Sequence, residues 1–378
     1  MPDQKKARAR DLGVPFPGAP GPLNAITDVA GLAVGHTTLI AGEGELVVGQ
    51  GPVRTGVTAV WPRGIGAASS VFAGLFALNG VGEMTGTHLI EEFGAFTGPV
   101  LLTNTLSVGV VRDAVIAWAR DHVPDREARF YFSLPVVAET WDGNMNDAYG
   151  QHVQPMHVFA ALENAASGPV LEGNVGGGTG MSTFGFKGGI GTASRLVATP
   201  VGDYMVGVLV QSNFGQREQL LVAGTPAGQE IDDLRPSRQS LPAVSSSIII
   251  LVATDAPFLP GQLKRLARRA GLGLARTGST AHHHSGDIFL AFSTAVPPTI
   301  TPEGLELVTA VPNAHIDPFF DAVVYASEEA IINALVAAET MQGINGATLH
   351  ALPHGRLQEV LRRYGRLAGD GAADGARV

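Results

Sequence analysis

The run Ser245-Ser246-Ser247-Ile-Ile-Ile-Leu-Val-Ala253 passes from polar to wholly apolar in one step. An apolar stretch of that length without alternation reads as a strand buried on both faces. Packed layers must then lie on either side of it. Residues 224–243, just before it, hold Pro226, Gly228, Asp232, Asp233, Pro236, Arg238 and Pro242 and few apolar side chains. They read as a linker. A polar, turn-rich segment thus delivers three serines to the start of a core strand.

The rest of the chain supplies the layers. Val100-Leu-Leu102 reads as a short buried strand ending in Thr103-Asn104-Thr105. Ser107 is placed to cap a helix carrying Val108, Val111, Val115 and Trp118 on one face. Residues 129–137 look strand-like and end in the polar cluster of residues 139–147. Residues 156–165 read as helix, 173–191 as a glycine-dense segment, and 204–210 as an apolar strand ending at Gln211-Ser-Asn-Phe-Gly215. After Thr254-Asp255-Ala-Pro257, a helix-start cluster, Leu263, Leu266, Ala267 and Ala270 repeat at helical spacing. Ser285-Gly-Asp287 precedes a strand at 288–292. Residues 319–341 and 355–367 read as late helices, and 369–378 as a frayed tail. Strands and helices interleave without an internal repeat, which gives an α/β or α+β class with layered packing.

Composition narrows the chemistry. The chain has 378 residues and no cysteine. That excludes disulfides, zinc–thiolate sites, iron–sulfur clusters and a thiol nucleophile. A formal charge of −9 argues against a nucleic-acid backbone as partner. Only 16% of residues are charged, which suggests a large buried volume and buried interfaces. No apolar run reaches the roughly 20 residues of a membrane span. Lys5, Lys6, Arg8 and Arg10 are followed by a Pro/Gly-rich arm rather than an apolar core, so the basic start reads as a solvated arm and the protein as cytoplasmic.

The familiar motifs are missing. Gly173-Asn-Val-Gly-Gly-Gly-Thr-Gly180 lacks the Gly-Lys-Ser/Thr of a phosphate loop, and no G-x-G-x-x-G is present. Close backbone packing or a loop lining a pocket is the better reading. Adjacent histidines such as His282-His283-His284 cannot all face one ion from a regular element, so they read as a polar loop near a pocket. There is no G-x-S-x-G elbow and no S-x-x-K pair. By local composition Ser247 is simply a polar residue at a strand start. A second chemistry fits the same layout. If the bond before it is cut, the serine gains an α-amine with a pKa of roughly 7.7–8. That amine can take the proton of its own hydroxyl, so nucleophile and base reside in one residue.

At this point a resemblance becomes specific. Ser247-Ile-Ile-Ile-Leu-Val-Ala-Thr-Asp-Ala-Pro257 resembles the nucleophile segment of the DmpA/BapA family of self-processing aminopeptidases. So do Val34-Gly-His-Thr-Thr38, Pro135-Val-Val-Ala-Glu-Thr-Trp-Asp-Gly143, Glu172-Gly-Asn-Val-Gly-Gly-Gly-Thr-Gly-Met181 and Phe186-Lys-Gly-Gly189. Val208-Leu-Val-Gln-Ser-Asn-Phe-Gly215, Arg276-Thr-Gly-Ser279, Ser285-Gly-Asp-Ile-Phe-Leu-Ala-Phe-Ser-Thr294 and Asn333-Ala-Leu335 extend the match along nearly the whole chain. The family acts on N-terminal L-residues, D-amino-acid amides and esters, and β-peptides.

The resemblance implies an α+β fold, a four-layer αββα sandwich resembling the N-terminal-nucleophile hydrolases. It implies one domain over 1–378, cut into an α chain 1–246 and a β chain 247–378 that stay together, with homo-oligomerisation to a tetramer of αβ pairs. Carried over by position, Ser247 is the nucleophile, and Ser285 with Asp287 orients and stabilises its amine. Asn213 and Trp141 are oxyanion donors. Glu139 holds the substrate's ammonium. Ser246 precedes the cut, where relatives carry Gly or Asn, and the serine triplet leaves room for a one-residue shift. The plainer readings are that Asn213 caps a strand end, Trp141 packs, and Asp287 pairs with Arg276. Asp142, Asn144 and Asn146 are read as turn residues. Short peptides or amino-acid amides are the expected substrates, with no cofactor and no metal. The alternatives are an acyltransferase like the ornithine acetyltransferases, whose nucleophile is Thr, and a non-cleaving scaffold or binding protein of the same fold.

Overall fold

The computed structural model describes residues 6–200, 202–236, 246–295 and 308–368. Strands β1 (Ala33–Ala41), β2 (Val53–Trp61), β3 (Val71–Gly80), β4 (Ala95–Phe96), β5 (Val100–Asn104) and β6 (Val136–Thr140) come first. The short hairpin strands β7 (Ser182–Thr183) and β8 (Phe186–Lys187) precede β9 (Gly189–Thr199), β10 (Gly202–Asn213), β11 (Ser246–Thr254) and β12 (Ser285–Ser293). The helices are α1 (Thr87–Phe93), α2 (Val108–His122), α3 (Arg126–Phe132), α4 (Pro155–Glu163), α5 (Ala227–Glu230), α6 (Pro260–Arg276), α7 (Asp317–Val336) and α8 (His354–Arg363).

Two sheets result. One has the order β1-β2-β5-β6 and the other β4-β3-β12-β11-β10-β9. The apolar run 248–253 forms β11, the inner strand of the larger sheet, parallel to β12 and antiparallel to β10. Its side chains serve two cores. Ile249, Leu251 and Ala253 pack with Leu102, Val136 and Ala138 of the other sheet. Ile248, Ile250 and Val252 pack with Leu263 and Leu266 of α6 and Phe319 of α7. A third core joins the outer face of the smaller sheet (Val57, Leu101, Val137) to α2 and α4 through Val111, Trp118 and Val158. The layers are helix, sheet, sheet, helix, as the resemblance implied.

The glycine-dense segment lies between the sheets. Gly176, Gly177 and Gly178 are buried, and a Cβ would sit 2.7 Å from the Leu102 carbonyl oxygen at Gly177 and 2.4 Å from the Ile190 backbone nitrogen at Gly178. Only a glycine admits that approach. Close backbone packing is therefore its role.

Several expectations are corrected. Residues 129–132 are helical, because Asp125 caps α3 by accepting from Glu127 N and Ala128 N. The strand begins only after Pro135, at Val136. Ser107 occupies the N-cap position of α2 without a side-chain cap bond, whereas Asn104 accepts from Leu106 N one turn earlier. The linker is not free at its start. Ala227 and Ile231 are buried, and the Arg217 guanidinium donates to the carbonyls of Ile231 and Leu234. Residues 237–243 of that linker, Ser245 and the tail 369–378 lie outside the described residues. The basic start is not a solvated arm either. Arg8 pairs with Glu172 at 2.7 Å and Arg10 with Glu329 at 2.7 Å. Among the described residues no helix is long and apolar enough to cross a membrane.

Glu329 is the hub of a buried polar cluster. Its carboxylate accepts from Arg195 at 2.6 Å, from Arg10, and from Asn24 Nδ2 at 2.6 Å. These charges offset the burial cost and hold the carboxyl below its ordinary range. Removing one member strands a buried charge. We expect Glu329→Ala to lose about 3–5 kcal/mol of stability, read as a fall in the urea midpoint. An unchanged midpoint would show that the cluster is not a structural tie.

Candidate active site

Side-chain alternation along β11 sorts the serines. Ser247 shares its face with Ile249 and Leu251 and so looks into the space between the sheets. Ser246 shares its face with Ile248 and looks toward the helices. Ser247 lies directly across from Asn213 in the β10–β11 pairing. Its Oγ accepts from Gly286 N at 3.2 Å.

Around Ser247 is a cavity of about 280 Å³, bounded also by Glu139, Trp141, Thr105, Glu83, His284 and the Val81-Gly82 turn. Glu139 ends β6 with Thr140 and is buried. Its Oε1 accepts from Glu83 N at 2.9 Å, and its Oε2 accepts from Thr105 Oγ1. Burial pushes its pKa up, while the Thr105 and Glu83 hydrogen bonds oppose the shift. A cation entering the cavity would supply the missing counter-charge.

Asn213 is held from both sides. Its Oδ1 accepts from Ser182 N at 2.8 Å, and its Nδ2 donates to the Trp141 carbonyl at 2.9 Å. An amide nitrogen has two N–H groups, so the second takes no part in holding Asn213 among the described residues. It does not cap a strand end; it ties β10 to the loop after β6. Trp141 contributes that carbonyl and a wall of the cavity. Its indole lies back over Gly143, where a Cβ would fall 2.2 Å from Cζ2.

Ser285 and Asp287 are together but on the other face. Ser285 Oγ donates to Asp287 Oδ1 at 2.6 Å and lies 3.3 Å from Ser246 Oγ, whose hydroxyl it can accept from. The uncut chain thus shows the pair to Ser246, one residue before Ser247. The nitrogen that a cut would free belongs to the peptide joining the two serines. Asp287 Oδ2 is buried and has no hydrogen-bond partner among the described residues. Burial pushes the Asp287 pKa up to about 6. Asp287 does not pair with Arg276, which binds Glu328 at 2.5 Å instead.

The residues expected merely to turn the chain do more. Asp142 is fully buried and Asn146 nearly so. Asn146 Nδ2 donates to Asp142 Oδ1 at 3.1 Å, and Asn146 Oδ1 accepts from Arg54 N at 2.8 Å. This network fixes the segment that carries Trp141. Glu83 and Thr105, the holders of Glu139, were missed by sequence reasoning. Thr105 stood in a visible strand-end cluster, but no local signal ties Glu83 to a residue 56 positions away. Among the described residues no group of three or more His, Asp or Glu side chains could hold a metal ion.

Burial dominates Asp142 and raises its pKa from 3.8 to about 7. The folded state therefore binds the proton more tightly than the unfolded state. That contribution to stability is present at low pH and is lost as pH rises through that window. We expect Asp142→Asn to gain on the parent as pH rises toward about 8 in thermal melts. A difference that stays flat with pH would contradict the assignment.

Comparison with known proteins gives the family and the fold. The profile of peptidase family S58 matches residues 24–349. The β-peptidyl aminopeptidase BapA of Sphingosinicella microcystinivorans is 54% identical over 373 residues, covering 96% of this chain and 93% of that protein. BapA of Sphingosinicella xenopeptidilytica is 49% identical over 366 residues, covering 94% and 91%. The structure of the L-aminopeptidase D-Ala-esterase/amidase of Ochrobactrum anthropi is described as a prototype for the serine aminopeptidases and a variant of the Ntn hydrolase fold. It superposes with a TM-score of 0.87 at 47% identity, covering 96% of this chain and 100% of that one. The fold described above is thus that of the Ntn hydrolases, the chain is a serine aminopeptidase, and it belongs to peptidase family S58.

Proposed function

We propose that the chain cuts itself between Ser246 and Ser247 and that Ser247 then serves as the N-terminal nucleophile of the aminopeptidase. One observation carries the reading. Of Ser246 and Ser247, only Ser247 faces the cavity shared with Glu139 and Trp141. A shift of the cut by one residue would point the nucleophile at the helices.

In the uncut chain Ser247 Oγ attacks the Ser246 carbonyl carbon. The hydroxyl proton passes to the Ser247 nitrogen as the C–N bond breaks, and an ester forms between Ser246 and Ser247 Oγ. Water hydrolyses the ester, leaving a carboxylate on Ser246 and an amine and hydroxyl on Ser247. The new amine arises beside Ser285 and Asp287 and becomes an ammonium when it takes up a proton. It satisfies the unpartnered Asp287 Oδ2 and favours the ionised carboxylate that burial otherwise opposes.

In the cut enzyme the Ser247 amine takes the hydroxyl proton as Oγ attacks the substrate carbonyl. The free Asn213 N–H receives the developing oxyanion, with Trp141 beside it. The substrate's own ammonium sits on Glu139. The Ser247 amine returns the proton to the leaving amine, and water releases the acyl group. Short peptides and amino-acid amides with an unblocked amine fit this scheme, in keeping with the substrates in the relatives' names. The buried Glu329 cluster, with Arg10 and Arg195 before the cut and Glu329 after it, supports continued association of the fragments. Exposed Ile40, Val47 and Val48 support further assembly of αβ pairs.

Denaturing mass spectrometry tests the proposal. We expect two species, 1–246 and 247–378, and a single chain in Ser247→Ala, without activity on amino-acid p-nitroanilides. Ser246→Ala should still be cut at the same bond. Normal cutting in Ser247→Ala would overturn the proposal.

A further inference from the structure

Lys187 is a buried cation to which the mechanism assigns no task. Its side chain is wholly inaccessible. Its Nζ donates to the carbonyls of Met181 at 2.7 Å, Gly188 at 2.7 Å and Gly178 at 3.3 Å. Burial drives its pKa well below the ordinary lysine range. The surroundings nevertheless suit the ammonium. Three acceptors match its three N–H groups, whereas a neutral amine would turn its lone pair on a carbonyl. Taking a cation out of water costs several kcal/mol, so this lysine is expensive as mere filling.

The bonded atoms show where its charge leads. The Met181 carbonyl belongs to the same peptide unit as the Ser182 N–H. That N–H donates to Asn213 Oδ1 at 2.8 Å. The line runs from the Lys187 ammonium through one peptide amide to the Asn213 amide, which stands across from Ser247 in the β10–β11 pairing. Thr183 Oγ1 on the same hairpin donates to Ser212 O at 2.9 Å and pins the end of β10. Chains of hydrogen-bonded amides polarise one another, and a cation at the head strengthens the donor at the far end.

We propose that Lys187 is a positioning residue for the oxyanion donor, orienting and polarising Asn213 through the Met181–Ser182 peptide. The inference rests on the reading of Ser247 and Asn213 given above. It assigns the lysine to the transition state rather than to substrate binding.

The test is Lys187→Met, with Lys187→Gln measured in the same way where the first variant does not fold. Four readouts are compared with the parent: the rate of self-cutting, kcat on an amino-acid p-nitroanilide, inhibition by the matching 1-aminoalkyl boronic acid, and inhibition by the matching simple amine. The boronic acid bonds to Ser247 Oγ and places a tetrahedral oxygen at the oxyanion position; the amine reports only the ammonium site. We expect kcat, self-cutting and boronic-acid affinity each to fall about tenfold or more. That is short of the roughly 10²–10³ that losing a whole oxyanion donor costs. Amine affinity should stay within about twofold of the parent, since the charge acts only where an oxyanion forms. Equal losses in boronic-acid and amine affinity, or a kcat within twofold of the parent, would overturn the proposal. A parent enzyme that binds the boronic acid no better than the amine would instead refute the oxyanion reading beneath it.

Discussion

Burial of β11 on both faces is the constraint from which the site follows. A strand pressed between two cores cannot rotate or slip without moving Ile248 and Ile249 into each other's places. Its first two residues inherit that discipline. One hydroxyl is delivered to the inter-sheet cavity and the other to Ser285, with a single peptide bond between them. The neighbours complete the geometry: β10 sets Asn213 opposite Ser247, and β12 brings the Gly286 N–H and the Asp287 carboxyl alongside. Hydrophobic packing several residues away therefore determines which atoms meet.

The electrostatics of the site are unfinished in the same place. Glu139 and Asp287 both lie where burial raises their proton affinity, and neither has a cationic side chain as hydrogen-bond partner among the described residues. Such carboxyls contribute little to holding the fold. In the proposed reaction they are answered by cations that arrive later, one carried by substrate and one generated from the backbone. Lys187 is the complementary case, a buried cation whose hydrogen-bond partners among the described residues are carbonyl dipoles.

Much of this was legible in the sequence, for physical reasons. The apolar run of β11, the face of α2 and the repeat in α6 carry strong patterns, because burial selects side chains directly. The layered class followed from them. Residues 129–137 were misread because Phe130, Tyr131 and Phe132 favour strands by composition, while the cap at Asp125 decides the local outcome. The arm bearing Arg8 and Arg10 was misread because partners 164 and 319 residues away leave no local trace. Asp142 and Asn146 look like ordinary turn formers, and only the third dimension shows that the turn is buried. The resemblance located Ser247, Asn213, Trp141, Glu139, Ser285 and Asp287 in the chain. It could not say which face of the strand each would occupy.

The Glu329 cluster has a consequence for the order of events. A cut at 246–247 places Arg10, Asn24 and Arg195 on one piece and Glu329 on the other. Each piece alone would carry buried charges with no answer to them. Neither half is then a folding unit in its own right, and two separately made halves would each face that cost before meeting. The continuous chain escapes it by assembling the cluster while the peptide is whole. The proposed scission would then be an act of the finished fold, and a severed chain would keep a record of having once been folded intact.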